Sequence, residues 1–166
     1  FNSRLNETIR VKKGLTYGAR GGFSTQRFAG QFTVTTFTKT ATTAETVQAI
    51  LDEINRLMEE PPSESEIDDT KSYILGSFAI DRETPQSVAS DLWTIELNDL
   101  PADEFQRQLE EVATTTAEEC VELVDEHVDT NRLVFVVVRN ADAIRESREK
   151  SAPVTVISEK QLAEAE

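Results

Sequence analysis

The spacing of apolar residues changes twice along this chain, and those changes limit the folds it can adopt. Residues 15–38 alternate apolar with polar positions, with breaks at Gly21-Gly22 and Gly30, which predicts two antiparallel strands joined by a loop. Residues 43–128 instead place apolar residues three or four apart, as amphipathic helices do. One hairpin followed by a long helical stretch predicts an α+β fold, with helices on one face of a mostly antiparallel sheet.

Capping residues set the predicted helix boundaries. A first helix ends near Lys13, because Gly14 follows the Lys12-Lys13 pair as a C-terminal cap. Pro61-Pro62 ends the helix that follows the hairpin. Residues that favour helix starts open the five later helices, in chain order Thr43, Ser63 (with Glu66), Thr84 (with Pro85), Pro101 and Thr116 (with Glu119).

The run Leu133–Val138 is continuously apolar, rich in Val and too short for a helix. It predicts a buried central strand, and Pro153–Ile157 is a candidate edge strand. A sheet of three or four strands is small for five helices, so we expect further strands before Phe1. The predicted domains are a partial domain over residues 1–158 and an acidic tail over 159–166.

The chain is strongly acidic, with 17 Lys and Arg against 31 Asp and Glu and a formal charge of −14 over 166 residues. Nucleic acids and anionic membranes require the opposite sign, so neither is an expected partner. No apolar run approaches the roughly 20 residues that span a bilayer. The single Cys120 excludes an internal disulfide and leaves the compartment open between cytoplasm and periplasm.

The residues needed for independent hydrolytic chemistry are not present in sufficient number. A catalytic zinc needs three protein ligands, and the chain has a single histidine, His127, with Cys120 seven residues before it. No serine lies in a G-x-S-x-G pattern. The glycines from Gly18 to Gly22 lead into a predicted strand and therefore suit a hairpin bend better than a phosphate loop. We expect no metal or cofactor in this chain.

The first twenty residues contain the most specific pattern: Ser3-Arg4-Leu5, then Ile9-Arg10, then Gly14-Leu15-Thr16-Tyr17. With this pattern the chain resembles the second, zinc-free domain of insulinase/pitrilysin-type metallopeptidases. Later segments resemble the same domain in the same order, covering nearly the whole chain from Phe1 to about Ile157: Glu66–Gly76, Leu100-Pro101, Val112–Thr116 and Leu133–Val138.

The resemblance implies a substrate-holding role, with zinc and the H-x-x-E-H motif in a homologous partner domain or subunit. This chain lacks that motif and is expected to be inactive alone. The family's Arg and Tyr that hold the substrate opposite the zinc correspond to Arg10 and Tyr17. Both can donate hydrogen bonds to a substrate carbonyl or its oxyanion.

Other interpretations remain open. Arg10 could simply favour the helix C-terminus and Tyr17 could pack on the sheet. Four aromatic residues could line an apolar wall for the substrate, or belong to the core: Phe23, Phe28, Phe32 and Phe37. For the parent protein, the alternatives to a peptidase half are a scaffold or assembly subunit of the same fold, or a generic α+β binding domain. The expected partners are a zinc-bearing homologue and a peptide, with self-association of the chain possible.

Overall fold

A computed structural model of the chain describes residues 3–25, 28–138, 155–157 and 161. Its elements follow the predicted order, which confirms the α+β class. They are a π-helix (Asn6–Lys12), strands β1 (Ala19–Thr25) and β2 (Gly30–Thr36), a short 3-10 helix (Thr40–Thr42), and helices α1 (Thr43–Glu59), α2 (Glu64–Ile80), α3 (Pro85–Asn98), α4 (Glu104–Thr114) and α5 (Ala117–His127). In the described part of the chain the sheet has two strands, β1 and β2.

The chain divides into two compact units. The first unit lies within Phe1–Phe23, Phe32–Asn55 and Thr130–Glu166, and the second within Ser24–Gln31 and Arg56–Asp129. The predicted domain boundaries at 1–158 and 159–166 stay a prediction. No helix in the described residues is long and apolar enough to cross a membrane.

The core of the first unit joins the π-helix, β1 and α1. Ile9, Leu15, Ala19 and Ala49 are buried together, and the partly buried Leu5 and Ile50 pack against them. Ile9 is fully buried, which stabilises the unit by about 1.5 to 3 kcal/mol relative to an exposed side chain. The core therefore fixes the π-helix against α1 at the point where the chain enters the hairpin.

Three of the predicted helix starts are confirmed as capping boxes. The side chains of Ser63, Thr84 and Thr116 accept the backbone N–H three residues on, and the residue at that position bonds back. The predicted N-cap at Thr43 is wrong, because the 3-10 turn before it is already helical. Thr43 lies in the helical region, and its hydroxyl donates to the carbonyls of Lys39 and Thr40.

The second unit is held together by polar contacts between its helices. Lys71 Nζ of α2 donates to the Ala113 carbonyl of α4 at 3.0 Å. Arg82 lies over the Phe78 ring, 3.6 Å from its centroid, and 4.8 Å from that of Phe105, while its Nε is 2.6 Å from Asp91 Oδ2. None of the described side chains in α2, α3, α4 or α5 is fully buried. Packing in this unit consequently leaves much apolar surface accessible.

The predicted buried strand at Leu133–Val138 is wrong. These residues form no strand, and Val134, Val136 and Val138 are at least 83% exposed. A strand requires backbone hydrogen bonds to a neighbour, and no strand of the described chain pairs with this run. Thr155–Ile157 also lie outside any strand, and Pro153 and Val154 fall outside the described residues.

Candidate functional site

Arg10 and Tyr17 meet on the surface of the first unit. The Arg10 guanidinium carbon lies 5.0 Å from the centre of the Tyr17 ring, in cation–π geometry. Arg10 is half-buried, whereas Tyr17 is 89% exposed. The exposed ring shows that Tyr17 does not pack on the sheet, which was the competing interpretation of this residue.

A glycine turn brings Tyr17 back towards Arg10. The Lys13 N–H donates to the Thr8 carbonyl at 3.0 Å, and the Leu15 N–H donates to the Ile9 carbonyl at 2.9 Å. Between these bonds Gly14 has φ +61°, a left-handed conformation that glycine adopts without steric cost. The turn therefore reverses the chain within four residues of the helix end, as the Gly14 cap predicted.

The site lies on a π-helix, which the sequence did not predict. Asn6–Lys12 has π-helical backbone, and the Lys13-to-Thr8 bond spans five residues. π-helical turns are rare and are found frequently at functional sites. Apolar spacing in so short a segment does not separate an α-helix from a π-helix, so the pattern indicated a helix and not its type.

Two side chains fasten this helix to the rest of the unit. The Asn6 amide nitrogen donates to the Ala19 carbonyl at 3.0 Å, and its oxygen accepts the Ala19 N–H at 2.9 Å. On the other side, the Thr8 hydroxyl donates to Glu53 Oε1 of α1 at 2.9 Å, and Glu53 is buried. These contacts fix the helix on which Arg10 lies relative to both β1 and α1.

Threonine hydroxyls hold the backbone on either side of Tyr17. The Thr36 hydroxyl lies 2.9 Å from the Thr16 hydroxyl and 3.0 Å from the Gly18 carbonyl, and the Thr38 hydroxyl donates to the Leu15 carbonyl at 2.8 Å. The residues before and after Tyr17 are thus anchored to β2 and the segment that follows it. The backbone is braced while the phenol stays accessible to a ligand.

Two of the four candidate wall aromatics lie together. The rings of Phe23 and Phe32 are 5.0 Å apart, tilted by 45°, and pair across the hairpin. Phe28 and Phe37 are 93% and 83% exposed. The hairpin thus contributes both a packed pair and an accessible ring.

Arg10 and Tyr17 can bind a ligand by donating hydrogen bonds to it, without transferring a proton. A guanidinium and a phenol both donate hydrogen bonds, and together they suit a carbonyl oxygen. No group of three or more metal-binding side chains occurs among the described residues. Cys120 belongs to the second unit, and burial, together with the negative charge of Glu119, raises the pKa of its thiol.

Residues 1–74, which include Arg10 and Tyr17, match the family model described as peptidase M16 inactive domain. This part of the chain is similar to the inactive domain of M16 peptidases. This confirms the resemblance to the zinc-free domain of insulinase/pitrilysin-type peptidases. The fold agrees with the crystal structure of a peptidase M16 inactive domain from Pseudomonas fluorescens, with a TM-score of 0.71 at 23% identity over 78% of this chain and 31% of that one.

A curated relative of this chain is the non-peptidase homolog YmxG of Helicobacter pylori (strain ATCC 700392 / 26695). It is 29% identical over 143 residues, which cover 84% of this chain and 32% of the relative. The chain thus spans about a third of the length of the proteins it matches. Its similarity is thus to an inactive M16 domain over residues 1–74 and to a non-peptidase homolog over most of the chain.

Proposed function

We propose that this chain holds an extended peptide at Arg10 and Tyr17 and presents it to a zinc site in a homologous partner domain or subunit. The observation that carries the proposal is the convergence of the two donors on a braced turn with an exposed ring. If Arg10 and Tyr17 had only a structural role, burying the Tyr17 ring would stabilise the fold most. A pair that binds a ligand must instead leave this ring accessible. The hairpin offers strand edges along which a peptide backbone could add.

A second function is a non-catalytic scaffold or assembly subunit of the same fold. The similarity to YmxG, a non-peptidase homolog, favours it. The two functions differ in what the partner contributes: the first requires a zinc-bearing partner that cleaves the peptide, and the second requires none.

The test is turnover by the assembled protein with the zinc-bearing partner present. Replacing Arg10→Ala or Tyr17→Phe removes one donor to the developing oxyanion, so kcat should fall by about two to three orders of magnitude, or about 2.7 to 4 kcal/mol. Arg10→Ala should cost the fold only about 0.5 to 1 kcal/mol through the lost cation–π contact, and Tyr17→Phe should cost less because it keeps the ring. Arg10→Lys should restore little activity, because an ammonium lacks the planar fork of donors.

Arg107→Ala provides a matched control, because Arg107 is an exposed arginine on α4 in the second unit. It should leave kcat unchanged. Full turnover and unchanged substrate affinity in both Arg10→Ala and Tyr17→Phe would make the pair structural. Binding of the partner without any peptide hydrolysis would favour the scaffold.

A further inference from the structure

Positive and negative charge are separated along this chain. Residues 1–44 contain seven Lys or Arg and a single acid, Glu7, whereas residues 45–166 contain ten Lys or Arg and thirty acids. In a chain of formal charge −14, the first 44 residues thus carry +6. The candidate site lies within the positive part.

Four further cations lie close to the Arg10–Tyr17 pair in sequence, in a basic segment over residues 4–20 that also contains Arg10: Arg4, Lys12, Lys13 and Arg20. Lys12 and Lys13 end the π-helix directly before the glycine turn, and both are exposed. Arg20 is exposed and follows Ala19, which Asn6 fixes to the same helix.

Chain geometry keeps these charges close to the pair. The Cα atoms of Lys13 and Tyr17 are four residues apart and so lie at most about 14 Å from each other, and those of Arg20 and Tyr17 at most about 11 Å. The Debye length at physiological ionic strength is about 8 Å. A ligand on Tyr17 therefore lies within about two Debye lengths of these cations.

Glu7, the one acidic residue within residues 4–20, offsets little of the positive charge of this segment. Glu7 Oε1 lies 3.8 Å from Lys12 Nζ, with the two side chains 52% and 60% exposed. Exposed pairs of this kind are weak and screened by salt. Lys12 and Lys13 also suit the helix C-terminus, but that role would affect folding stability and would not select among peptides.

We infer that the site selects acidic peptides: segments with Asp or Glu next to the residue whose carbonyl meets Arg10 and Tyr17. The inference rests on the proposed function and adds the substrate class to it. The carboxylates pair with Lys12, Lys13 and Arg20, while Arg10 and Tyr17 serve the backbone carbonyl. A chain that is acidic elsewhere needs such a local reversal of sign to admit an anionic ligand.

The experiment measures binding of three fluorescent peptides to the 166-residue chain by anisotropy. The peptides share length and central sequence and carry acidic, neutral or basic flanks. Two exposed charge pairs predict an acidic-to-basic affinity ratio of about two- to thirtyfold near 0.01 M salt, falling towards one near 1 M. The double variant Lys12→Gln/Lys13→Gln should reduce that ratio, and Glu7→Gln should increase it. Arg107→Gln, in the second unit, should leave it unchanged.

The outcomes separate this inference from the function on which it rests. Equal affinity for the three peptides, or a preference that survives Lys12→Gln/Lys13→Gln, overturns the acidic specificity while leaving peptide binding intact. Binding that Arg10→Ala does not weaken overturns the assignment of the pair and with it this placement of the acidic flanks. If no peptide binds, the proposed function and the acidic specificity both fail.

Discussion

The two hydrogen bonds between the Asn6 side chain and the Ala19 backbone should contribute more to the free energy of unfolding than most other polar contacts in the first unit. Asn6→Ala deletes a donor and an acceptor that lie 3.0 and 2.9 Å from the Ala19 backbone. Ala19 is only 2% exposed, so water has little access to replace them. Each unsatisfied buried group costs about 1 to 3 kcal/mol. We expect a loss of about 2 to 4 kcal/mol, a large part of the typical 5 to 15 kcal/mol total for a domain.

The assay is urea unfolding followed by circular dichroism, with Asn98→Ala as the control. Asn98 donates to the Thr94 carbonyl at 2.9 Å, but it does so on an exposed helix, so its removal should cost no more than about 0.5 kcal/mol. Equal losses in the two variants, or a loss below about 1 kcal/mol for Asn6→Ala, would refute the claim that this bond pair fixes the π-helix to β1.

Asn6→Asp tests the donor alone. An ionised carboxylate keeps the acceptor but faces the Ala19 carbonyl, whereas the protonated acid can donate to it. The folded-state pKa of this introduced acid should therefore lie above its unfolded value of about 3.9. The protonated acid should therefore add to the free energy of unfolding in full at pH values below its unfolded pKa. This contribution should be lost as pH rises through the folded-state pKa. An unchanged stability difference between Asn6→Asp and wild type from acid to neutral pH would contradict this account.

Three further predictions concern other parts of the chain. Gly14→Ala should lower the free energy of urea unfolding by about 1 to 2 kcal/mol, because φ at this position is +61° and no atom would crowd the new side chain. Gly14→Asn should cost less, since Asn adopts this conformation more readily; equal costs would show that backbone conformation is not the cause. Cys120 should react with iodoacetamide more slowly than free cysteine near neutral pH, because its raised pKa lowers the thiolate fraction. Lys71→Gln should slow the reaction further, because the Lys71 charge lowers that pKa, and a rate equal to that of free cysteine would contradict the prediction. The exposed run Leu133–Val138 should drive self-association, so Val134→Lys/Val136→Lys should shift sedimentation towards monomer, and a wild-type monomer at high concentration would refute the idea.

Local signals in the sequence predicted the elements that depend on neighbouring residues. The capping boxes at Ser63, Thr84 and Thr116 satisfy backbone groups within one helical turn, so four residues contain all the information they need. Gly14 likewise marks its turn because few other residues adopt that conformation. The meeting of Arg10 and Tyr17 followed from the same turn together with the family resemblance.

Features that depend on distant partners were harder to predict. Leu133–Val138 has the composition of a buried strand, but a strand forms only where another strand supplies its hydrogen bonds, and composition does not report that partner. The bonds from Asn6 to Ala19 and from Thr8 to Glu53 join residues 13 and 45 positions apart, so no short pattern contains them. The π-helical geometry was missed for a different reason, because apolar spacing over seven residues does not distinguish it from an α-helix.

The proposed peptide site of this chain consists of Arg10 and Tyr17 on the first unit. The most direct measurement is an NMR titration of the isotopically labelled chain with an acidic extended peptide. On peptide binding, the amide shift changes should concentrate over residues 9–20, and the Tyr17 ring signals should move together with the Arg10 side-chain Nε–H. Arg10→Ala should abolish most of these shift changes. Shifts confined to residues 56–129, or saturable binding that leaves residues 9–20 unperturbed, would contradict it.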